Sequence, residues 1–100
     1  MGNARKPTGK PNSLARYREE AKGDPFVLWL DDDEKIEIPR PSADQMFEAE
    51  ESFYAGATRA GLRAFCGDQA EAFLDAIGKE DAAVMMQIAK DMQEHFGLGN

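Results

Sequence analysis

The densest group of side chains that could do chemistry is a run of four carboxylates, from Asp31 to Glu34. Carboxylate oxygens are ligands for hard cations such as calcium. The run lacks the alternating acids, central glycine and distal glutamate of a calcium-binding loop. Acidic residues are also common in turns, because their side chains accept hydrogen bonds from nearby backbone N–H groups. We therefore interpret the run as a solvated turn and predict no metal and no other cofactor.

The single histidine and the single cysteine are the remaining candidates for catalysis. Neither His95 nor Cys66 belongs to a recognisable nucleophile motif. His95 falls in the last turn of a predicted helix, where the helix dipole stabilises an imidazolium. An isolated cysteine is commonly a small core residue. Four glycines between residues 56 and 78 are spaced as helix ends rather than as a phosphate-binding loop. The sequence thus indicates a protein that is not an enzyme.

Two further residues have placements that a purely structural role explains less well. Glu50 lies in the middle of an apolar helical stripe, where an unpaired charge would be costly to bury. Either Arg59 or Arg63 pairs with Glu50, or a partner covers that face. We favour the ion pair because buried charges are normally paired. Met86 points away from the apolar stripe of its helix, so we expect it to be partly exposed.

The elements that must position these residues are mainly helices. The longest amphipathic segment, residues 81–97, predicts the helix around which the domain is organised. Ser42 and Gln45 form a capping-box pattern that begins a helix over about 43–55. Shorter helices are predicted over about 58–66 and 69–77, the second capped by Asp68, and we expect this pair to pack on the last helix. The last helix has the apolar stripe Val84, Met85, Ile88, Ala89, Met92 and Phe96.

The first third of the chain contains a different kind of element. The residues at 26, 28 and 30 share one side of an apolar strand, Val27 and Trp29 lie on the other side, and Ile36 and Ile38 continue the alternation after a polar turn, which predicts a β-hairpin over 26–38. Residues 1–24 are predicted to be a flexible basic tail, in which Ser13 caps a transient helix over 13–22. The predicted fold class is therefore mainly α, with a short N-terminal β-hairpin followed by a bundle of about four helices in a single domain over residues 25–100.

The charge is distributed unevenly between these parts. The chain has a net charge of −7, with +3 in the tail and −10 in the domain when the Lys, Arg, Asp and Glu residues of each part are counted. Phosphate binding needs a basic face, so we exclude nucleic acid as a partner of the domain. The chain has no apolar run of about 18 residues and no signal peptide, which excludes a membrane partner and predicts a cytoplasmic protein.

The order of these parts resembles the tail assembly chaperones of long-tailed phages that infect actinobacteria. The resembling segments are the hairpin PFVLWLDDDEKIEIP, the proline-rich step PRPSADQ, the helix pair RAGLRAFCGDQAEAFLDAI and the ending MQEHFGLGN. Together they cover roughly residues 25 to 100. Their most specific parts are the junction Cys66–Gly67–Asp68 and the segment His95 to Gly99.

The resemblance implies a non-enzymatic role in the host cytoplasm. Such chaperones bind the long, apolar, helical tape measure protein while the tail tube polymerises around it, so the implied partner is that protein, with the tail tube protein as a second candidate. The family commonly has a longer form made by ribosomal frameshifting, and an ending after GLGN resembles the shorter form. Adaptable apolar side chains suit such a contact. The predicted partner-binding residues are Met46, Phe47, Glu50, Tyr54, Met85, Met86 and Met92.

Two other function classes stay open on the sequence. One is a small structural protein of the virion, such as a head–tail completion protein, which would be found in purified particles. The other is an acidic inhibitor that mimics DNA, which would need its carboxylates to form a phosphate-like array on one face. Self-association is also left open.

Overall fold

The computed structural model of the chain describes residues 12–21 and 23–98. The predicted fold class is confirmed, because the chain is mainly helical and has a two-stranded antiparallel hairpin followed by four helices. In the part of the chain that the structure describes, no helix is long and apolar enough to cross a membrane. The elements in order are α1 (Leu14–Glu20), β1 (Phe26–Trp29), β2 (Lys35–Ile38), α2 (Ala43–Tyr54), α3 (Thr58–Cys66), a 3-10 turn (Gly67–Gln69), α4 (Ala70–Ile77) and α5 (Ala82–His95).

Helix α1 lies within the segment predicted to be a tail. The Ser13 hydroxyl accepts a hydrogen bond from the backbone N–H of Arg16 at 3.2 Å, and the Arg16 side chain pairs with Glu20 at 3.1 Å. The Ser13 contact is the cap predicted for a transient helix at this place. The helix buries none of its own residues. Residues 1–11 and Lys22 of the predicted tail lie outside the described residues.

The hairpin has the pairing that its alternation predicts. Phe26 lies opposite Ile38, and Leu28 lies opposite Ile36. The two isoleucines are buried, and the two residues opposite them pack against the same core. The other face of the ribbon is exposed and carries Trp29. A two-stranded ribbon is marginal in water, so this one-sided burial against the helices stabilises it.

Helices α2 and α3 are joined through their ends. The predicted capping box is present: the Ser42 N–H donates to Gln45 Oε1 at 2.9 Å, and the Gln45 N–H donates to Ser42 Oγ at 3.1 Å. Gln45 Nε2 also donates to the carbonyl of Ala64 at 3.1 Å, in the last turn of α3. Gly56, with a φ of +82°, ends α2 as predicted. One glutamine therefore satisfies backbone groups at the start of one helix and at the end of the next.

The α3–α4 junction differs from the prediction. A 3-10 turn follows α3 directly, and Asp68, predicted to cap α4, lies inside that turn. Gln69, the residue before α4, makes no capping hydrogen bond with its side chain. Gly67 has a φ of +59°, and a Cβ at this position would lie 2.8 Å from Gln45 Nε2. The positive φ favours glycine here, and the chain turns through a 3-10 turn instead of a capped loop.

The core lies mainly between β2, α3 and α4. The prediction that the domain is organised around the last helix is therefore wrong, because Met92 is the only buried residue of α5, with Phe96 buried just after it. Burial depends on how many neighbours an element has, and a long amphipathic stripe does not fix that number. The buried apolar residues are Ile36, Ile38, Ala49, Leu62, Phe65, Cys66, Ala70, Phe73, Ile77, Met92 and Phe96.

Candidate partner-binding surfaces

Helix α2 turns a different face to the core from the one predicted. The predicted stripe was centred on Glu50, but the structure buries Ala49 and exposes Glu50. A shift of one residue rotates the buried face by about 100° around the helix. The close contact of α2 with α3 depends on Gly61, where a Cβ would lie 2.4 Å from the Phe53 ring. Packing against this glycine sets the rotation of α2.

The predicted ion pair of Glu50 is absent among the residues that the structure describes. Glu50 is exposed, and Arg63 instead pairs with Glu71, with Nη2 and Oε2 separated by 3.2 Å. An exposed carboxylate is hydrated and needs no cation. The argument that required a pair for Glu50 assumed burial, which the rotation of α2 removes.

The predicted partner-binding residues separate into buried and exposed groups. Met92 is 1% exposed and is therefore not presented to a partner, whereas Met46 is partly buried and packs against the core. Phe47 is 61% exposed and Tyr54 is 96% exposed, both on α2. Met86 is 66% exposed, as its position away from the stripe predicted.

Met85 lines an open groove of about 710 Å³ between α3, α4 and the start of α5. Its apolar lining includes Leu62 from α3, and Leu74 and Ile77 from α4. Leu62 and Ile77 are buried, while Leu74 and Met85 are partly buried. The groove therefore has an apolar floor, with two partly accessible side chains that a ligand could contact.

Charged residues of both signs form the rim of this groove. Arg59 and Arg63 come from α3, whereas Glu71 and Asp75 come from α4. The Arg63–Glu71 pair links the two helices across the rim, and both side chains remain at least half exposed. Exposed pairs of this kind contribute little to stability. Charged side chains of both signs beside an apolar floor can, however, contribute to the specificity with which a ligand binds.

The thiol of Cys66 is unsuited to nucleophilic chemistry. Its side chain is 1% exposed, and desolvation by burial raises its pKa to about 12. The thiolate is the reactive form of cysteine, and almost none is present at neutral pH with such a pKa. Cys66 is a core residue, which is the interpretation that its isolated position favoured.

His95 connects the two ends of the domain. Its Nε2 lies 2.9 Å from the carbonyl oxygen of Asp24, just before β1. Its ring packs edge-on against Phe26, with centroids 5.7 Å apart, and against Phe96 at 5.1 Å. These contacts give the imidazole a structural role, holding the end of α5 against the start of the hairpin.

The acidic run is held as a turn by its own first residue. Asp31 Oδ1 accepts hydrogen bonds from the backbone N–H groups of Asp33 at 2.9 Å and Glu34 at 2.8 Å. Such bonds are typical of acidic residues in tight turns. Within residues 12–21 and 23–98, no group of three or more His, Cys, Asp or Glu side chains is arranged to hold a metal ion.

The groove is the feature that sequence reasoning missed. Leu74 belongs to the predicted stripe of α4, but periodicity does not tell which edge of a stripe stays accessible after packing. Arg59 and Arg63 were considered only as partners of Glu50. The sequence signal for the groove was that Arg59 and Arg63 share one face of their helix, next to an apolar stripe.

Comparison of the chain with protein-family models, with curated proteins and with solved structures finds no match.

Proposed function

We propose that this protein is a non-enzymatic phage tail assembly chaperone, which binds an apolar helical segment of the tape measure protein and keeps it soluble in the host cytoplasm while the tail tube assembles. The proposal takes the identity of the client from the sequence resemblance. The structural observation that supports it is the open, apolar-floored groove between α3, α4 and α5.

The groove has the chemistry that a helical client needs. An amphipathic helix docks by laying apolar side chains, spaced three or four residues apart, into an apolar groove. Leu74 from α4 and Met85 from α5 both line the groove and offer partly exposed apolar surface. Methionine is unbranched and adapts to differently shaped ligands. A site of this kind accepts several segments of a repetitive apolar client without reading one sequence.

The charge of the domain suits the same role. An apolar client aggregates when its surface is uncovered, and a bound protein with a high net charge opposes association by repulsion between complexes. Residues 25–100 carry ten more acidic than basic side chains. Binding by the groove and repulsion by the acidic surface together account for solubilisation without any catalytic step.

The test is coexpression with the proposed client, the tape measure protein. We expect the wild-type chain to raise the soluble fraction of that protein and to copurify with it. Met85→Glu, which places a carboxylate in the groove, should reduce both effects by about tenfold. Val84→Glu is the matched control, because Val84 is the preceding residue, is 39% exposed and does not line the groove.

Two results would contradict the chaperone assignment. One is a client that stays insoluble and unbound when the folded wild-type chain is present. The other is detection of this chain by mass spectrometry as a stoichiometric component of purified virions, which would assign it to the particle as a structural protein.

A further inference from the structure

The exposed side of α2 combines aromatic and acidic residues. We define the α2 outer face by Phe47, Glu50, Glu51 and Tyr54, all of which are exposed. The two aromatic residues are seven positions apart, which places them two turns, or about 10.5 Å, apart on the same side of the helix. Large aromatic side chains with this exposure are unusual in a solvated helix face and are enriched at the centres of protein interfaces.

The carboxylates of α2 have no basic neighbours on their own helix. Its twelve residues include four acids and no lysine or arginine. Like charges one turn apart destabilise an isolated helix by a few tenths of a kcal/mol. In the described ranges 12–21 and 23–98, the ion pairs lie in α1, in β2 and between α3 and α4. Among the described residues, none of these ion pairs involves the carboxylates around Phe47 and Tyr54.

We infer that the α2 outer face is a docking surface for a basic amphipathic helix of a partner protein. Apolar side chains of that helix would cover Phe47 and Tyr54, and lysines or arginines on its flanks would meet Glu50 and Glu51. Charge complementarity of this kind speeds encounter and fixes the register. A second copy of the same face is a poor occupant, because a twofold contact would bring carboxylates together.

This surface is separate from the groove, and its occupant differs in chemistry. The groove has both signs of charge on its rim and an apolar floor, whereas the α2 outer face has only acidic groups around two aromatic rings. The inference therefore goes beyond the proposed client site and does not depend on it. The two surfaces would allow the chain to hold an apolar segment and a basic segment at once.

The experiment titrates the full chain with a synthetic helical peptide of about four turns. The peptide has leucines on one side and lysines on both flanks. Its affinity is measured by calorimetry at low and high salt. A second peptide has glutamates in place of the lysines. We expect the lysine peptide to bind and the glutamate peptide to bind at least about tenfold more weakly. Raising the salt should weaken the lysine complex.

Variants locate the binding on the protein. The double variant Phe47→Ala/Tyr54→Ala should lose at least about tenfold in affinity for the lysine peptide, and Trp29→Ala controls for loss of an exposed aromatic residue elsewhere. Glu50→Gln/Glu51→Gln should weaken binding and flatten its salt dependence. Asp32→Asn/Asp33→Asn makes the same change in charge at the hairpin turn and should have less effect.

The outcomes separate the inference from its alternatives. Equal binding of both peptides, or affinity unchanged by Phe47→Ala/Tyr54→Ala, would overturn it. Concentration-dependent dimerisation that this double variant abolishes would overturn it as well, since the occupant would then be a second copy. Unchanged peptide binding by Met85→Glu supports a surface distinct from the groove, whereas loss of binding in that variant would overturn the distinction.

Discussion

At the scale of single residues, Gln45 joins two helices through one side chain. Its Oε1 completes the capping box of α2, and its Nε2 donates to the last turn of α3. Gln45→Glu keeps the acceptor but turns a carboxylate oxygen toward carbonyl groups at the negative end of α3. We expect the free energy of unfolding, measured in urea, to fall by about 1–3 kcal/mol.

The control for this variant is Ser42→Ala. It removes the hydroxyl of the capping box and leaves the Gln45 bond to Ala64 in place, so it should cost about 1 kcal/mol. If Gln45→Glu costs no more than Ser42→Ala, the contact between Gln45 and α3 contributes nothing to stability.

The buried thiol of Cys66 predicts a pH dependence of stability. Its pKa is about 12 in the folded chain, against 9.0 for the free group, because burial disfavours the thiolate. The folded state thus binds the thiol proton more tightly than the unfolded state does. The resulting contribution to the free energy of unfolding is present in full below about pH 9 and declines as the pH rises toward 12. The free energy of unfolding of Cys66→Ala should decline less steeply over this range. Parallel pH profiles for the two proteins would contradict the buried neutral thiol.

At the scale of secondary-structure elements, local signals predicted the ends of helices better than their faces. The capping box at Ser42 and the left-handed glycine at 56 depend on neighbours within a few residues, and both are where the sequence placed them. The buried face of α2 depends on α3. The spacing of large apolar residues centred the predicted stripe of α2 on Glu50, whereas the structure buries Ala49 and leaves Phe47 and Tyr54 exposed.

The contact between Gly61 and Phe53 predicts that Gly61→Ala changes from destabilising to neutral or stabilising when the Phe53 ring is removed. A Cβ at position 61 would lie 2.4 Å from the ring, so Gly61→Ala should destabilise the wild-type chain by about 1–3 kcal/mol through overpacking. In a Phe53→Ala background the ring is gone, and the higher helix propensity of alanine should make the same substitution neutral or stabilising by up to about 1 kcal/mol. Urea denaturation of the four proteins measures the coupling. An equal cost of Gly61→Ala in both backgrounds would show that this contact does not position α2.

At the scale of the whole molecule, the sequence predicted the composition of the fold but not the arrangement of its surfaces. Hairpin and helices follow from periodicity, and so does the pairing of Ile36 and Ile38 with the strand opposite. The groove needs three helices at fixed positions, which periodicity does not specify. The same limit applies to Met92 and Met86, since a stripe predicts which side of α5 is apolar but not how deeply each residue is buried.

The distribution of burial also predicts which part of the chain folds independently. The buried core begins at Ile36, and α1 buries none of its residues. Deleting residues 1–22 should therefore leave the melting temperature within about 2 °C of that of the full chain, as measured by circular dichroism. For a domain of this size, a change of 1 kcal/mol in stability shifts the melting temperature by about 4–8 °C. Deleting residues 1–26 also removes the Asp24 carbonyl and the Phe26 ring, both of which contact His95.

The longer deletion should lower the melting temperature by more than about 5 °C, since it removes the contacts of His95 at the end of α5 and takes Phe26 from the hairpin's buried face. Comparison of the two deletions separates the contribution of the basic segment from that of the strand beginning at Phe26. An equal loss in both would mean that α1 packs on the domain and that residues 1–22 belong to the folded unit. If the shorter deletion is as stable as the full chain, the basic N-terminal residues contribute nothing to the stability of the domain. The α2 outer face and the groove could then be assayed without them.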